Sequence, residues 1–262
     1  MAETGRLTRS AFTSVDPVLL LRIGLIAAAL AIWQAVSVSG LLFRDVVPSL
    51  GAIAGALARL LLDPGFYGHL GTTGLEISIA LVIGGLAGLA VGLALGASRL
   101  LGRAFEPYLY YLGPTPKIIF FPIMIMWFGV GPGSKVAMGV ISCFFPIALS
   151  TAAGMRQIDK VLIRVGRSFR ARTWQMVSKI YLPAMRMPVV NGVRLGLGVA
   201  VIGTLLAETK LSNRGVGFLV INSYSTFDMP RMYALLIVLF VIAIGANALV
   251  GWLGTGRSQM KA

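Results

Sequence analysis

Cysteine and histidine are almost missing from this 262-residue chain, where Cys143 and His69 each stand alone. One thiol excludes an intrachain disulfide framework and a thiolate cluster. One imidazole, with no second His or Cys near it, leaves no transition-metal site of that ligand type. Charge is scarce too. Only 12% of residues are Asp, Glu, Lys or Arg, well below the roughly one quarter of soluble domains. With nine acids and isolated His69 and Cys143, no acid–base constellation for a membrane-embedded enzyme can be assembled. A Gly-x4-Gly-Lys-Ser/Thr loop is absent, so the chain cannot cradle ATP in that manner. An internal repeat, a low-complexity tract and a soluble-domain linker are also lacking.

What fills the chain is apolar: 57% of residues are hydrophobic. Runs of roughly 20 residues, enough for a helix to cross about 30 Å of hydrocarbon, recur along it. Six spans are predicted: Val18 to Val38, Thr73 to Ala97, Tyr108 to Val130, Lys135 to Gly154, Asn191 to Glu208 and Met232 to Leu253. The first follows Arg6 and Arg9 as a secretory signal would. It is too long for a signal h-region, and Arg22 near its start can snorkel to headgroups, so it reads as an uncleaved span. The fold class expected is all-α, a polytopic transmembrane bundle over 18–254 with tails at 1–17 and 255–262. A short interfacial helix is expected between Pro48 and Leu62, where Leu50, Ile53, Leu57, Leu60 and Leu61 keep helical spacing.

The formal charge of +14 could suggest nucleic acid, but its distribution points to topology instead. With both termini cytoplasmic, the inside loops hold Arg6, Arg9, Arg99, Arg103, Arg156, Lys160, Arg164, Arg167, Arg170, Arg172, Lys179, Arg186, Arg257 and Lys261. The outside segments hold only Arg44, Arg59, Lys135, Lys210, Arg214 and Arg231. The excess of Lys and Arg inside favours that orientation and removes the need for a nucleic-acid partner.

Within the spans, Gly84, Gly88, Gly92 and Gly96 form a four-residue row, repeated as Gly192, Gly196 and Ala200. Such rows let helix backbones approach closely in lipid. Packing alone and pore lining are both readings of them. Continued by fours, each row reaches an acid, Glu76 and Glu208. Ionisable groups in a span are default functional candidates, and the plain alternative is solvation or pairing at headgroup depth. Pro114, Pro116 and Pro122 interrupt the third span, with Lys117 inside it. That pattern fits either a broken helix beside a translocation path or ordinary packing against neighbours. Glu76, Pro116, Pro122 and Glu208 are thus the pathway candidates.

The loop from Met155 to Val190 carries Ile158, Val161, Leu162, Val165, Phe169, Met176, Val177 and Ile180 at helical spacing, with cations filling most of the rest. A basic amphipathic segment of this kind lies on anionic lipid or docks in a groove of a soluble partner. Its end, Ile180-Tyr181-Leu182-Pro183, is followed by Pro188, Gly192, Arg194, Leu195 and Leu206-Ala207-Glu208. Together with Pro114-Thr115-Pro116, Pro122, Trp127-Phe128-Gly129-Val130-Gly131, Ser134-Lys135, Phe145-Pro146 and Thr226-Phe227-Asp228, it resembles the permeases of type I binding-protein-dependent ABC importers. The likeness is to the branch that includes sulfonate, taurine and nitrate permeases, and it covers the chain from about Leu41 onward.

The resemblance implies a coupling segment over about 155–190 with the motif Glu-Ala-Ala, three residues, Gly, nine residues, Ile-x-Leu-Pro. Here the Glu-Ala-Ala positions are Arg164, Val165 and Gly166, and the glycine position is Arg170. The expected ATPase-coupling residues are therefore Arg164, Val165, Gly166, Phe169, Arg170, Ala171, Trp174, Ile180, Leu182 and Pro183. The motif acid is replaced by a cation. Either the partner surface is more acidic to match, or docking rests on apolar contacts such as Phe169 and Trp174. A less active, regulatory or hetero-paired permease is a further reading of this departure. The family implies two ATPase subunits carrying ATP and Mg, a second permease chain as a homodimer, and a periplasmic or lipid-anchored substrate-binding protein. It implies no cofactor and no catalysis on this chain, a place in the bacterial inner membrane in contact with lipid, and a small anionic cargo such as sulfonate, taurine or nitrate. An ion-driven secondary transporter is the alternative, since it too would show broken helices and buried acids.

Overall fold

The computed structural model describes residues 17–40 and 46–255. Arg6, Arg9, Arg44, Arg257 and Lys261, used above for orientation, lie outside them, as does most of both predicted tails. The described residues form helices without strands, in two compact units that divide after Gly55.

In the first unit, α1 (Pro17–Ser39) is the first predicted span. It is tied to the start of α2 (Leu50–Leu62), because Trp33 Nε1 donates to the Pro48 carbonyl at 3.1 Å and the Leu50 N–H donates to Gln34 Oε1 at 3.0 Å. Helix α2 falls on the segment where a short apolar helix is expected.

The second unit contains α3 (Pro64–Ala97), α4 (Arg99–Leu112), α5 (Phe121–Phe128), α6 (Pro132–Arg156), α7 (Lys160–Ser168), α8 (Thr173–Met176), α9 (Leu182–Ala184), α10 (Arg186–Lys210), α11 (Val216–Ser225) and α12 (Met229–Thr255). Five helices among the described residues are long and apolar enough to cross a membrane: α1, α3, α6, α10 and α12. The third predicted span is the exception. It is a pair, α4 and then a 3-10 turn Lys117–Phe120 leading into α5, bent by 92°. Counted as one broken span it makes the sixth.

The prolines explain the bend. Pro114 and Pro116 supply no N–H and bias their predecessors away from the helix. Pro122 sits in the first turn of α5, where a missing N–H costs nothing. Carbonyls freed at the break need donors, and Lys117 provides them. Its ammonium donates to the Gly113 carbonyl and, at 3.1 Å, to that of Thr115, and lies 5.2 Å from the Phe145 ring centroid.

Helix α6 is the central post. The α3 glycine row meets it turn by turn: a Cβ built on Gly88 would stand 2.9 Å from the Phe144 carbonyl oxygen, and one on Gly92 2.5 Å from both the Ala148 oxygen and Thr151 Cβ. On its other side a Cβ on Gly192 would stand 2.7 Å from Ser150 Cβ, and one on Gly196 2.7 Å from Ile147 Cδ1. Both rows are therefore packing seams against one helix. Cys143 is sealed between them, with Sγ 3.4 Å from the Ala80 carbonyl oxygen.

Candidate functional site

The two acids reached by the glycine rows meet at one end of the bundle. Glu76 on α3 and Glu208 on α10 are buried, together with Thr73, Thr204, Ser134 and Lys135. Glu208 is held on both oxygens. Thr73 donates its hydroxyl to Oε1 at 2.6 Å, and the Gly217 N–H donates to Oε2 at 2.6 Å. Thr73 Oγ1 in turn accepts the Val216 N–H at 2.8 Å, and His69 Nδ1 accepts the Gly215 N–H at 3.1 Å. The first N–H groups of α11 are orphan donors by geometry. Here a carboxyl from α10 and a hydroxyl and an imidazole from α3 satisfy them, with the carboxyl at the favourable end of the helix dipole.

Two glycines permit that approach. Gly215 has φ +101, and a Cβ there would overlap the Glu208 carboxyl; a Cβ on Gly217 would lie 2.7 Å from Glu208 Cβ. Glu76 lies close to Glu208, and the Lys135 ammonium is near both carboxyls. Glu76 Oε2 and Thr204 Oγ1 have no hydrogen-bond partner among the described residues. Lys135, counted in the sequence among outside loop charges, is 1% exposed in the first turn of α6 and donates to the Val130 and Gly131 carbonyls. Local spacing carried no signal for its neighbours, which come from α3 and α10. Among the described residues no group of His, Cys, Asp and Glu could hold a metal ion. Pro116 and Pro122, the other two pathway candidates, are exposed at the α4–α5 break, away from these acids in sequence.

At the opposite end of α6, the segment 157–185 folds back on itself. Asp159 Oδ1 accepts the Val161 N–H at 2.8 Å and starts α7. Helix α7 ends in a Schellman arrangement, in which the Ala171 N–H donates to the Gly166 carbonyl at 3.0 Å and the Arg170 N–H to that of Arg167 at 2.9 Å. That cap demands a left-handed residue, and Arg170 supplies it with φ +51. The motif glycine position is thus a helix-terminating position, and this chain fills it with a strained arginine.

Gly166 is buried where a Cβ would overlap Ile180 Cδ1 and stand 2.7 Å from Met176 Sδ, so the Ile180 of the Ile-x-Leu-Pro run packs directly on it. Leu182 and Tyr181 pack against Met155, Ile158 and Met185, a cluster that also takes in Leu89 and Leu93 of α3. Pro183 is exposed in the first turn of α9. The segment is therefore keyed to α3 and α6 on its inner side. Its outer side carries Arg164 and Val165, together with Phe169, 83% exposed, and Trp174, 74% exposed. Between them Val165, Gly166, Phe169, Ala171 and Ile180 line a groove of 310 Å³.

A third feature escaped the sequence reading. Arg156, counted as a loop cation, makes a two-pronged ion pair with Glu106 of α4.

Residues 72–258 match the family described as binding-protein-dependent transport system inner membrane component. The chain is 29% identical over 216 residues to the putative aliphatic sulfonates transport permease protein SsuC of Bacillus subtilis, covering 82% of this chain and 78% of that one. It is 29% identical over 240 residues to the taurine transport system permease protein TauC of Escherichia coli, covering 87% and 86%. It is 26% identical over 239 residues to the nitrate import permease protein NrtB of Synechococcus elongatus, covering 86% and 85%. These relatives are permeases of transport systems, and they support the importer reading rather than the ion-driven alternative. They imply an ATPase partner and a substrate-binding protein. With its apolar helices and a match over most of its length, the chain belongs to the binding-protein-dependent inner-membrane components and is a multi-pass permease subunit of a type I ABC importer, of the sulfonate, taurine and nitrate branch.

Proposed function

We propose that this chain forms, as a homodimer with both termini cytoplasmic, the path for a small anion of the sulfonate, taurine or nitrate kind. An external binding protein delivers the anion, and two ATPase subunits bind ATP and Mg and drive the cycle. The permease itself is non-catalytic. The names of the relatives support the cargo class, and the excess of Lys and Arg in the predicted inside loops supports the orientation.

The observation that carries the reading is the pair Phe169 and Trp174, large apolar side chains left exposed at 83% and 74% on a segment whose inner side is packed. Aromatic anchors around a groove are what a partner subunit buries. Arg164 and Arg170 flank them, so the docking face of the ATPase is expected to be apolar at its centre and acidic around it. Movement of that face reaches the spans through Ile180 on Gly166 and through Leu182 and Met185 against Leu89 and Leu93. Nucleotide supplies the free-energy difference between inward-open and outward-open states.

The test is purification in mild detergent with mass spectrometry of the co-purifying chains, followed by ATPase activity and uptake with candidate binding proteins. An ATPase is expected with the wild-type chain, and its recovery should fall about tenfold or more in Phe169→Ala/Trp174→Ala. Recovery of the permease alone, or an unchanged complex in the double variant, would overturn the docking assignment.

A further inference from the structure

A groove of 770 Å³ opens where α3 ends, α4 begins and α6 gives way to α7. Its wall is divided. Arg99, Arg103, Arg156 and Lys160 stand against a single carboxylate, Glu106, while Leu95, Pro107, Tyr110, Met155, Ile158 and Ile163 supply an apolar side. The charges do not cancel locally. Arg156 spends its guanidinium on both oxygens of Glu106, and the nearby Asp159 carboxylate is engaged in capping α7. Arg99, Arg103 and Lys160 are left without an ion-pair partner among the described residues.

Because the spanning helices α3 and α6 end at this level and the first half of the broken span, α4, begins there, the groove lies at a membrane boundary. A ligand that fits must bring negative charge to the three cations and an apolar body to the wall beside them. A soluble anion supplies only the first, and a zwitterionic lipid brings no net charge. We propose that this groove is a binding site for an anionic phospholipid, with the phosphodiester of the headgroup between Arg99, Arg103 and Lys160 and an acyl chain along Pro107, Tyr110 and Ile158. Guanidinium groups suit phosphate oxygens through paired N–H donors, and basic pockets between membrane helices hold such headgroups. The bound lipid would brace α4 against α7, the first helix of the segment that faces the ATPase.

The test uses the full chain purified with its ATPase and measures retention by native mass spectrometry and displacement of a fluorescent phosphatidylglycerol. Wild type is expected to hold phosphatidylglycerol about tenfold or more tightly than phosphatidylcholine, and R99Q/R103Q to lose most of that preference. K160Q alone should lose part of it, and R99K/R103K should keep charge and much of the binding. The control K210Q/R214Q, which removes the same charge at the C-terminal end of α10 and in the loop that follows it, should bind as wild type does. Equal binding of the two lipids, or wild-type retention in both R99Q/R103Q and K160Q, would overturn the site. Displacement by glycerol 1-phosphate at the same concentration as the lipid would overturn the lipid assignment in favour of a soluble phosphate.

Discussion

Thr73 on α3 donates its hydroxyl to Glu208 on α10 across 2.6 Å, and the same oxygen accepts the N–H of Val216, so one side chain closes three helices at a single point. The pair spans 135 residues of sequence, and everything it holds is buried. A buried hydrogen-bonded group contributes most visibly when one partner is removed, because the remaining donors cannot reach water.

Glu208→Ala should therefore lower stability by about 2–4 kcal/mol, since it strands the buried Gly217 N–H and Thr73 hydroxyl together. Glu208→Gln keeps one carbonyl acceptor and should lose less than the alanine variant. Thr73→Val removes the bridge but leaves the carboxyl on Gly217, and should cost about 1–2 kcal/mol. Apparent Tm in detergent, read with monodisperse yield, orders the three. A Glu208→Ala protein as stable as wild type would show that α11 does not depend on this cap.

The glycine seams make a sharper contrast. Gly92→Ala places a methyl 2.5 Å from Thr151 Cβ and from the Ala148 oxygen, and backbone cannot yield as a side-chain tip can. Overpacking of this kind costs about 1–3 kcal/mol. Gly198→Ala, also helical but with nothing within 4 Å of its Cβ, should be neutral or gain up to about 1 kcal/mol from helix propensity. The two substitutions are chemically identical, so opposite signs in a thermal-unfolding assay isolate the seam from the intrinsic cost of glycine.

Periodicity explains why that seam was legible: Gly84, Gly88, Gly92 and Gly96 face one neighbour because four residues is nearly one turn. The same rows led to Glu76 and Glu208. What the rows could not show is that the two acids meet each other, or that Lys135 and Thr73 join them, because contacts between residues this far apart in sequence have no local signature. Proline was equally ambiguous. Pro107 and Pro146 lie within intact helices, while Pro114 and Pro116 flank a 92° bend. The break could be expected from their pairing, but not the way Lys117 satisfies the carbonyls it frees. In the segment after α6, the motif positions were readable, but the left-handed φ that gives the glycine position its meaning was not.

Glu106 and Arg156 offer a test by exchange. Their pair joins α4 to the end of α6, with the arginine side chain 45% exposed and the glutamate 10%. Solvent at the arginine weakens the pair, so the coupling in a double-mutant cycle should be about 1 kcal/mol. Arg156→Ala alone should cost more than Glu106→Ala alone, because it leaves the more buried member without its partner. Equal single losses would place the two charges in equivalent surroundings, against the geometry.

Arg170 separates strain from charge. A non-glycine residue held at φ +51 costs about 1–2 kcal/mol, so Arg170→Gly should raise the apparent Tm by several degrees while leaving the Ala171–Gly166 cap bond in place. Arg170→Glu keeps a side chain in the same strained conformation and reverses only its charge. If the aromatic pair Phe169 and Trp174 anchors the ATPase and the cations tune its rim, Arg170→Gly retains the partner on purification, whereas Arg170→Glu holds wild-type stability and loses association by several-fold, most clearly at low salt. Loss of the ATPase in Arg170→Gly would instead make the guanidinium itself an anchor. Retention in Arg170→Glu would remove electrostatics from the docking face and leave Phe169 and Trp174 to carry it.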